Sequence, residues 1–487
     1  MTRLAKSLAL PAFLCATLFA QDLRVTSGAV DDQVLQRGPD GATTLRLSGV
    51  SDGSNGKSVD ARVLRKHTVV ADWSPLGQVS GGKWSGELKN LATGGPYRVE
   101  FRVGGKEVAF ALNNILVGDL WVLAGQSNME GVGDLVDVEP PNELVHNFDL
   151  ADRWMVAEEP LHTLVSATDR VHWRLNDQKQ PERYEGEKLR QFVAERKKGA
   201  GMGLPFAVEM VKRTGVPIGL LSCAHGGTSM DQWDPALKDK GGDSLYGSML
   251  RRFQLAGGKV TGLLWYQGES DANLRAAAEF PQKFERFVAK VREDFQQPGL
   301  PFYYVQIGRH VSNQSVPDWH VVQEAQRLAE ATIPHSGMIT AIDVALDDQI
   351  HVNTQDQKRL GRRMANLACR DLFPKLPHYG QVQRGPHPVS AKVEGQSILV
   401  TFTEVNGNIV STGRPAGFSI RAPDGSTVPT IYKIQTRHGE GNVVELKFTG
   451  KLPENAALFY GDGKDPYCNL HDEADMGVPV FGPMAIQ

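Results

Sequence analysis

Four short segments hold the residue types that acyl transfer needs. The first is Gly125-Gln-Ser-Asn-Met-Glu-Gly131, which follows the apolar run Ile115 to Ala124. A serine on a glycine-bounded turn at a strand end has its hydroxyl lifted above the sheet, where backbone N–H groups can face a developing oxyanion. Asn128 suits the tight backbone of such a turn. Met129 stands where the Gly-x-Ser-x-Gly elbow has its second glycine, so this is a different spacing. The second segment, Ser222 to Trp233, contains His225-Gly226-Gly227. Either glycine permits close backbone approach and an N–H aimed at an oxyanion, and His225 is a candidate substrate contact.

The third segment is Trp265-Tyr-Gln-Gly-Glu-Ser-Asp271. The Gln267 amide can donate toward an oxyanion, and Glu269 can orient a base or accept backbone N–H bonds. The fourth is Asp347-Asp-Gln-Ile-His351. Asp348 and His351 are spaced so that the carboxylate can hold one imidazole nitrogen while the other faces Ser127. Each segment alone also reads as an ordinary polar turn or helix cap. Four at strand ends in one chain read as a nucleophile, a base with its orienting acid, and donors.

Those segments need a frame. From about 115 to 375 the chain alternates helices and strands, which implies a mainly parallel sheet covered on both faces. Ligand sites in such folds lie beyond the carboxyl ends of the strands. Helices are expected at Leu204–Arg213, Leu245–Phe253, Pro281–Phe295, Trp319–Ala331 and Thr354–Cys369. In the third, Phe284, Phe287, Val288 and Val291 mark the apolar face. Residues 132–203 interrupt the rhythm and read as a polar insertion near the site, with Glu182 to Lys198 as a solvent-facing helix. Trp154, His172 and Trp173 are candidate pocket residues there. Residues 21–114 and 376–487 alternate in strand fashion and read as N- and C-terminal β domains.

Composition sets limits. Lys+Arg 53 against Asp+Glu 56 leaves a net charge of −3, so no global basic field favours nucleic acid. Residues 1–20 have the basic start, apolar stretch and small final residue of an export signal, or less fittingly of a short membrane anchor. The mature protein is then expected in the periplasm or outside the cell, without stable membrane insertion. Cys223, Cys369 and Cys468 would remain, a sparse odd set that does not form a disulfide scaffold, although one pair could form. Asp343, Asp347, Asp348 and His351 are hard-ligand types, but they match no calcium loop or zinc motif, which leaves only an accessory ion open.

In order and separation, these motifs resemble the sialate O-acetylesterase family among the SGNH/GDSL-like carbohydrate esterases. The resemblance begins at Val34-Leu-Gln-Arg37 and is sharpest at Gly125-Gln-Ser-Asn-Met129. It continues through Gly226-Gly-Thr228, Trp265-Tyr-Gln-Gly-Glu269 and Asp348-x-x-His351, and reaches Asn469-Leu-His-Asp472 and Pro479-Val-Phe481. It implies a flavodoxin-like SGNH hydrolase domain flanked by β domains. Ser127 would be the nucleophile, His351 the base and Asp348 its orienting acid. Ser127 N–H, a Gly226 or Gly227 N–H and Gln267 would be oxyanion donors, with Glu269 in support. Val352 stands where the family usually has proline. The implied reaction removes O-acetyl groups from carbohydrate and requires no metal or organic cofactor. A non-catalytic carbohydrate-binding protein on the same scaffold is the alternative from another class. A lipase-like carboxylesterase is a lesser one.

Overall fold

Short apolar runs bounded by turn residues become strands buried on both faces. The computed structural model describes residues 23–312, 318–437 and 439–487, so the expected export segment lies outside the described residues. The sheet that carries the site contains β1 (Val34–Gln36), β2 (Val108–Gly125), β3 (Val145–Phe148), β4 (Trp154–Val156), β5 (Ile218–Ser222), β6 (Gly262–Tyr266), β7 (Phe302–Gln306) and β8 (Ser336–Thr340). The order is β4-β3-β5-β2-β6-β7-β8, with β1 also paired to β2. Pairs β3/β5, β5/β2, β2/β6, β6/β7, β7/β8 and β1/β2 are parallel, and β3/β4 is antiparallel, so the sheet is mixed.

Register decides where the site lies. Leu123 is opposite both Ser222 and Leu264, and Gly125 is opposite Tyr266. The carboxyl ends of β2, β5 and β6 are therefore level, and their following loops emerge at one edge. Gly125 is required there: it has φ 132°, and a Cβ would lie 2.2 Å from the Tyr266 carbonyl oxygen.

The helices follow the apolar periodicity: α1 (Ser127–Glu130), α2 (Gly186–Glu195), α3 (Gly203–Thr214), α4 (Leu245–Leu255), α5 (Leu274–Asp294), α6 (Trp319–Thr332) and α7 (Thr354–Leu372). The side chains of Ser244, Asn273 and Asn353 accept first-turn N–H bonds and start α4, α5 and α7. Helix α5 begins before the expected Pro281, at Leu274 with Asn273 as its cap, and carries the proline inside it. Its Phe284, Phe287, Val288 and Val291 are buried as expected. Trp265 packs against Phe287 with ring centroids 4.5 Å apart, and Trp121 lies 5.0 Å from Phe206.

The region read as an insertion contributes more than a surface loop. Val145–Phe148 enters the central sheet between β4 and β5, and its polar His146 and Asn147 are buried. His146 Nδ1 meets the Asp32 carbonyl, and Asn147 binds Ser222 and the Leu161 carbonyl. Two polar residues in four hide the strand from a hydropathy reading. Helix α2 does face solvent, with no buried residue.

Two compact units divide the chain. One comprises Thr44–Lys89, Arg98–Leu112 and the described residues before Val30; the other comprises Val30–Thr43, Asn90–Tyr97 and Asn113–Gln487. In the first, Ser58–Arg65 pairs antiparallel with Thr68–Gln78 and alternately buries Val59, Ala61 and Val63. Within the second, antiparallel strands His387–Glu394, Ser397–Thr403, Glu440–Phe448 and Ile431–Arg437 enclose Ile398, Val400 and Phe402. Cys223, Cys369 and Cys468 are buried free thiols. Among the described residues no helix is long and apolar enough to cross a membrane.

Candidate active site

Ser127 opens α1 directly beyond β2, and His351 lies in the loop before α7. The two are 224 positions apart in sequence, yet His351 Nε2 is 2.9 Å from Ser127 Oγ. On the other side of the ring, Nδ1 is 2.8 Å from Asp348 Oδ2. The second carboxylate oxygen, Oδ1, accepts the Ile350 and His351 N–H bonds at 2.9 Å each. This turn makes the Asp-x-x-His spacing work, because the acid folds the loop that presents the imidazole. Burial would raise the Asp348 carboxyl, but the His351 bond and both backbone N–H groups hold it at about 2.

Asn128 couples the nucleophile turn to the base loop. Its Oδ1 accepts from Val352 N–H at 3.0 Å, and its Nδ2 donates to the Ile350 carbonyl at 3.4 Å and to Glu269 Oε1 at 2.9 Å. Both neighbours of His351 are thus tied to the residue after Ser127. Burial pushes the Glu269 carboxyl up, against the Asn128 bond. The two side chains meet beside the nucleophile turn.

The expected oxyanion donors divide. Ser127 and Gly227 N–H have no hydrogen-bond partner among the described residues. A Cβ on Gly226 would come within 3.4 Å of the Ser127 Cβ, so this loop does lie against the nucleophile. The Gly226 N–H, however, donates to Glu130 Oε2 at 2.8 Å. Gln267 departs from the expected role: its side-chain amide donates to the Thr228 carbonyl and to Asp271 Oδ2, so both of its N–H bonds are taken inside the protein. It braces the Gly226–Thr228 loop from behind. Spacing places an amide near the site but does not show where it points.

His225 also faces inward. Its ring stacks on His172 with centroids 5.3 Å apart, and the two Nδ1 atoms are 3.2 Å apart. Burial, then the Arg174 charge, lowers His225 to about 4. Its N–H donates to the Gly125 carbonyl, which ties the second loop to the first. Trp154 packs on Phe148, and Trp173 donates to the Ala167 carbonyl, so both serve local packing.

Three residues escaped sequence reasoning. Glu130, three positions after Ser127, holds the Gly226 N–H. Burial raises its carboxyl, opposed by that bond and by Arg196 and Arg174. Its spacing from Ser127 was the available clue. Lys198 Nζ lies 3.6 Å from Asp348 Oδ2, and Arg174 acts electrostatically on both Glu130 and His225. Both come from residues 132–203, where no local motif marks them. Asp343 pairs with Arg363 at 2.6 Å, and Asp347 accepts the Asp134 N–H at 2.8 Å. Among the described residues no group of three or more His, Cys, Asp or Glu could hold a metal ion.

The chain is similar to known carbohydrate esterases. The family profile described as "Carbohydrate esterase, sialic acid-specific acetylesterase" matches residues 117–370. A probable carbohydrate esterase of Arabidopsis thaliana is 28% identical over 272 residues, covering 50% of this chain and 88% of that protein. Human sialate O-acetylesterase is 23% identical over 438 residues, covering 82% of this chain and 80% of that protein. The structure of a carbohydrate acetylesterase from Xanthomonas citri shares the fold, with a TM-score of 0.65 at 22% identity over 94% of this chain and 99% of that one. Because the matched span takes in more than half of the chain and runs from β2 to α7, this protein belongs to the carbohydrate esterase family of sialic acid-specific acetylesterases.

Proposed function

We propose that this protein is a serine esterase that removes O-acetyl groups from carbohydrate through an acetyl-enzyme on Ser127. The observation that carries the reading is the continuous relay from Ser127 Oγ to His351 Nε2 and from His351 Nδ1 to Asp348. His351 takes the Ser127 proton as Oγ attacks the acetyl carbonyl carbon. The resulting oxyanion is met by the free Ser127 and Gly227 N–H groups. Collapse breaks the ester C–O bond, and His351 returns the proton to the departing sugar hydroxyl. A water then gives its proton to His351, attacks the acetyl-enzyme, and releases acetate with Ser127 restored. Asp348 holds the ring in the required tautomer and stabilises the imidazolium.

The substrates in view are O-acetylated sialic acid and other acetylated glycans. We read residues 115–375 as a flavodoxin-like SGNH domain with a mainly parallel sheet, flanked by β domains at 21–114 and 376–487. We read residues 1–20 as an export signal, with the mature protein periplasmic or extracellular; amino-terminal sequencing of the exported protein should begin near Gln21.

The test is acetate release across a panel of defined O-acetylated glycans, with Ser127→Ala as control. The variant should keep its fold and lose at least about a thousandfold in kcat. Full activity in Ser127→Ala would remove the serine mechanism. Binding of the glycans without acetate release by the native enzyme would favour a carbohydrate-binding protein instead.

A further inference from the structure

A cavity of about 650 Å³ is lined by residues outside the catalytic constellation. It lies among the carboxyl-terminal parts of α3 and α7, the turn at residues 378–381, and residues 406–407 and 473–475. That volume falls within the range of small-molecule sites, about 300–1,000 Å³. None of Ser127, Asp348 and His351 lines it. Helix α7 leaves the catalytic loop at Thr354, and Arg362 and Asn366 lie further along it. At 1.5 Å per residue, they are about 12 and 18 Å down the helix axis.

The charges around this cavity mostly cancel. Arg363 is answered by Asp343 and Asp475, and Asp475 also by Arg359. Arg213 pairs with Glu209 at 2.8 Å, binds Asn366 Oδ1 and lies 4.4 Å over the Tyr379 ring. Three groups are left with spare capacity. The Arg362 side chain has no partner among the described residues. Among the described residues Glu473 accepts one side-chain bond, from Asn408, and has no ion pair. The Tyr379 hydroxyl has no partner among the described residues. Beside them His378 adopts φ 67° and ψ −61°, a strained conformation for a residue with a side chain, and its ring meets Tyr379 edge-on at 5.0 Å.

One free guanidinium and one free carboxylate, of opposite sign, select against net charge. An anion drawn to Arg362 would also meet Glu473, and a cation drawn to Glu473 would also meet Arg362. A ligand that both donates and accepts through neutral groups satisfies both, and hydroxyls do this. We propose that this cavity is a second binding pocket for an uncharged saccharide, holding a glycan at a distance from the serine that cuts its ester. The ligand class rests on the carbohydrate-esterase reading above.

Isothermal calorimetry on the full chain tests it, with unacetylated xylotetraose and cellotetraose as neutral probes and N-acetylneuraminic acid as the charged one. A neutral tetrasaccharide should bind, and Arg362→Ala and Glu473→Gln should each weaken it about tenfold or more. Hydrolysis of 4-nitrophenyl acetate should be unchanged in both variants. The proposal is overturned if neither neutral probe binds, if binding survives both substitutions, or if the acidic sugar binds preferentially. Failure of the native enzyme to hydrolyse the small ester would count against the esterase reading and leave the calorimetric result standing.

Discussion

Asp343 and Asp348 lie in one loop and hold basic side chains in opposite ways. The side chains of Asp343 and Arg363 are each 1% exposed, whereas those of Asp348 and His351 are 37% and 21% exposed. Asp343 is held below the ordinary carboxylate range against its burial, by Arg363 first and then Arg359. A guanidinium does not give up its proton, so this pair can only bind. Asp348 faces an imidazole, which exchanges its proton, and solvent reaches the pair. The same acid therefore serves as a structural tie in one place and as the orienting end of a proton relay in the other. The partner and its access to water make the difference.

Substitutions should separate the two. Asp343→Ala leaves Arg363 charged and partly unanswered in the interior, so it should cost about 3–5 kcal/mol in chemical denaturation. Asp348→Asn should lower kcat by about a hundredfold to ten-thousandfold while shifting the unfolding midpoint little. If Asp348→Asn instead lost stability and retained activity, the contrast would reverse.

Asn128→Ala should have a smaller effect, roughly tenfold in kcat, because it frees the loop on both sides of His351 without removing a reacting group. The smallest effect is in pH. The depressed Asp348 carboxyl contributes stability above the unfolded-state value near 4 and loses it as pH falls toward about 2. Solvent screening keeps this to about 1 kcal/mol at most. The stability difference between the native protein and Asp348→Asn should therefore be constant above about pH 4 and shrink below it.

Local chemistry made much of this legible beforehand. The Asp348–His351 contact follows from spacing, since the carboxylate caps the N–H groups between them. The buried face of α5 follows from apolar periodicity, and Asn128 and Glu269 stand near enough to the motifs to be read as support. The strand Val145–Phe148 was not legible, because His146 and Asn147 are buried by long-range partners that no local pattern encodes. The inward turn of Gln267 was hidden only in part for the same reason: its partner Thr228 arrives from a distant loop, whereas Asp271 lies four residues on.

By itself, the sequence determined which groups are available and how each local turn presents them: a serine at a strand end, an acid three residues before an imidazole, and glycines where backbones must approach. Tertiary structure alone decided that Ser127 meets His351, that Glu130 takes the Gly226 N–H, and that Arg362 and Glu473 share a cavity. Hydrogen-bond direction and charge pairing depend on which distant chain arrives. That is set by strand register and packing, which local spacing does not specify.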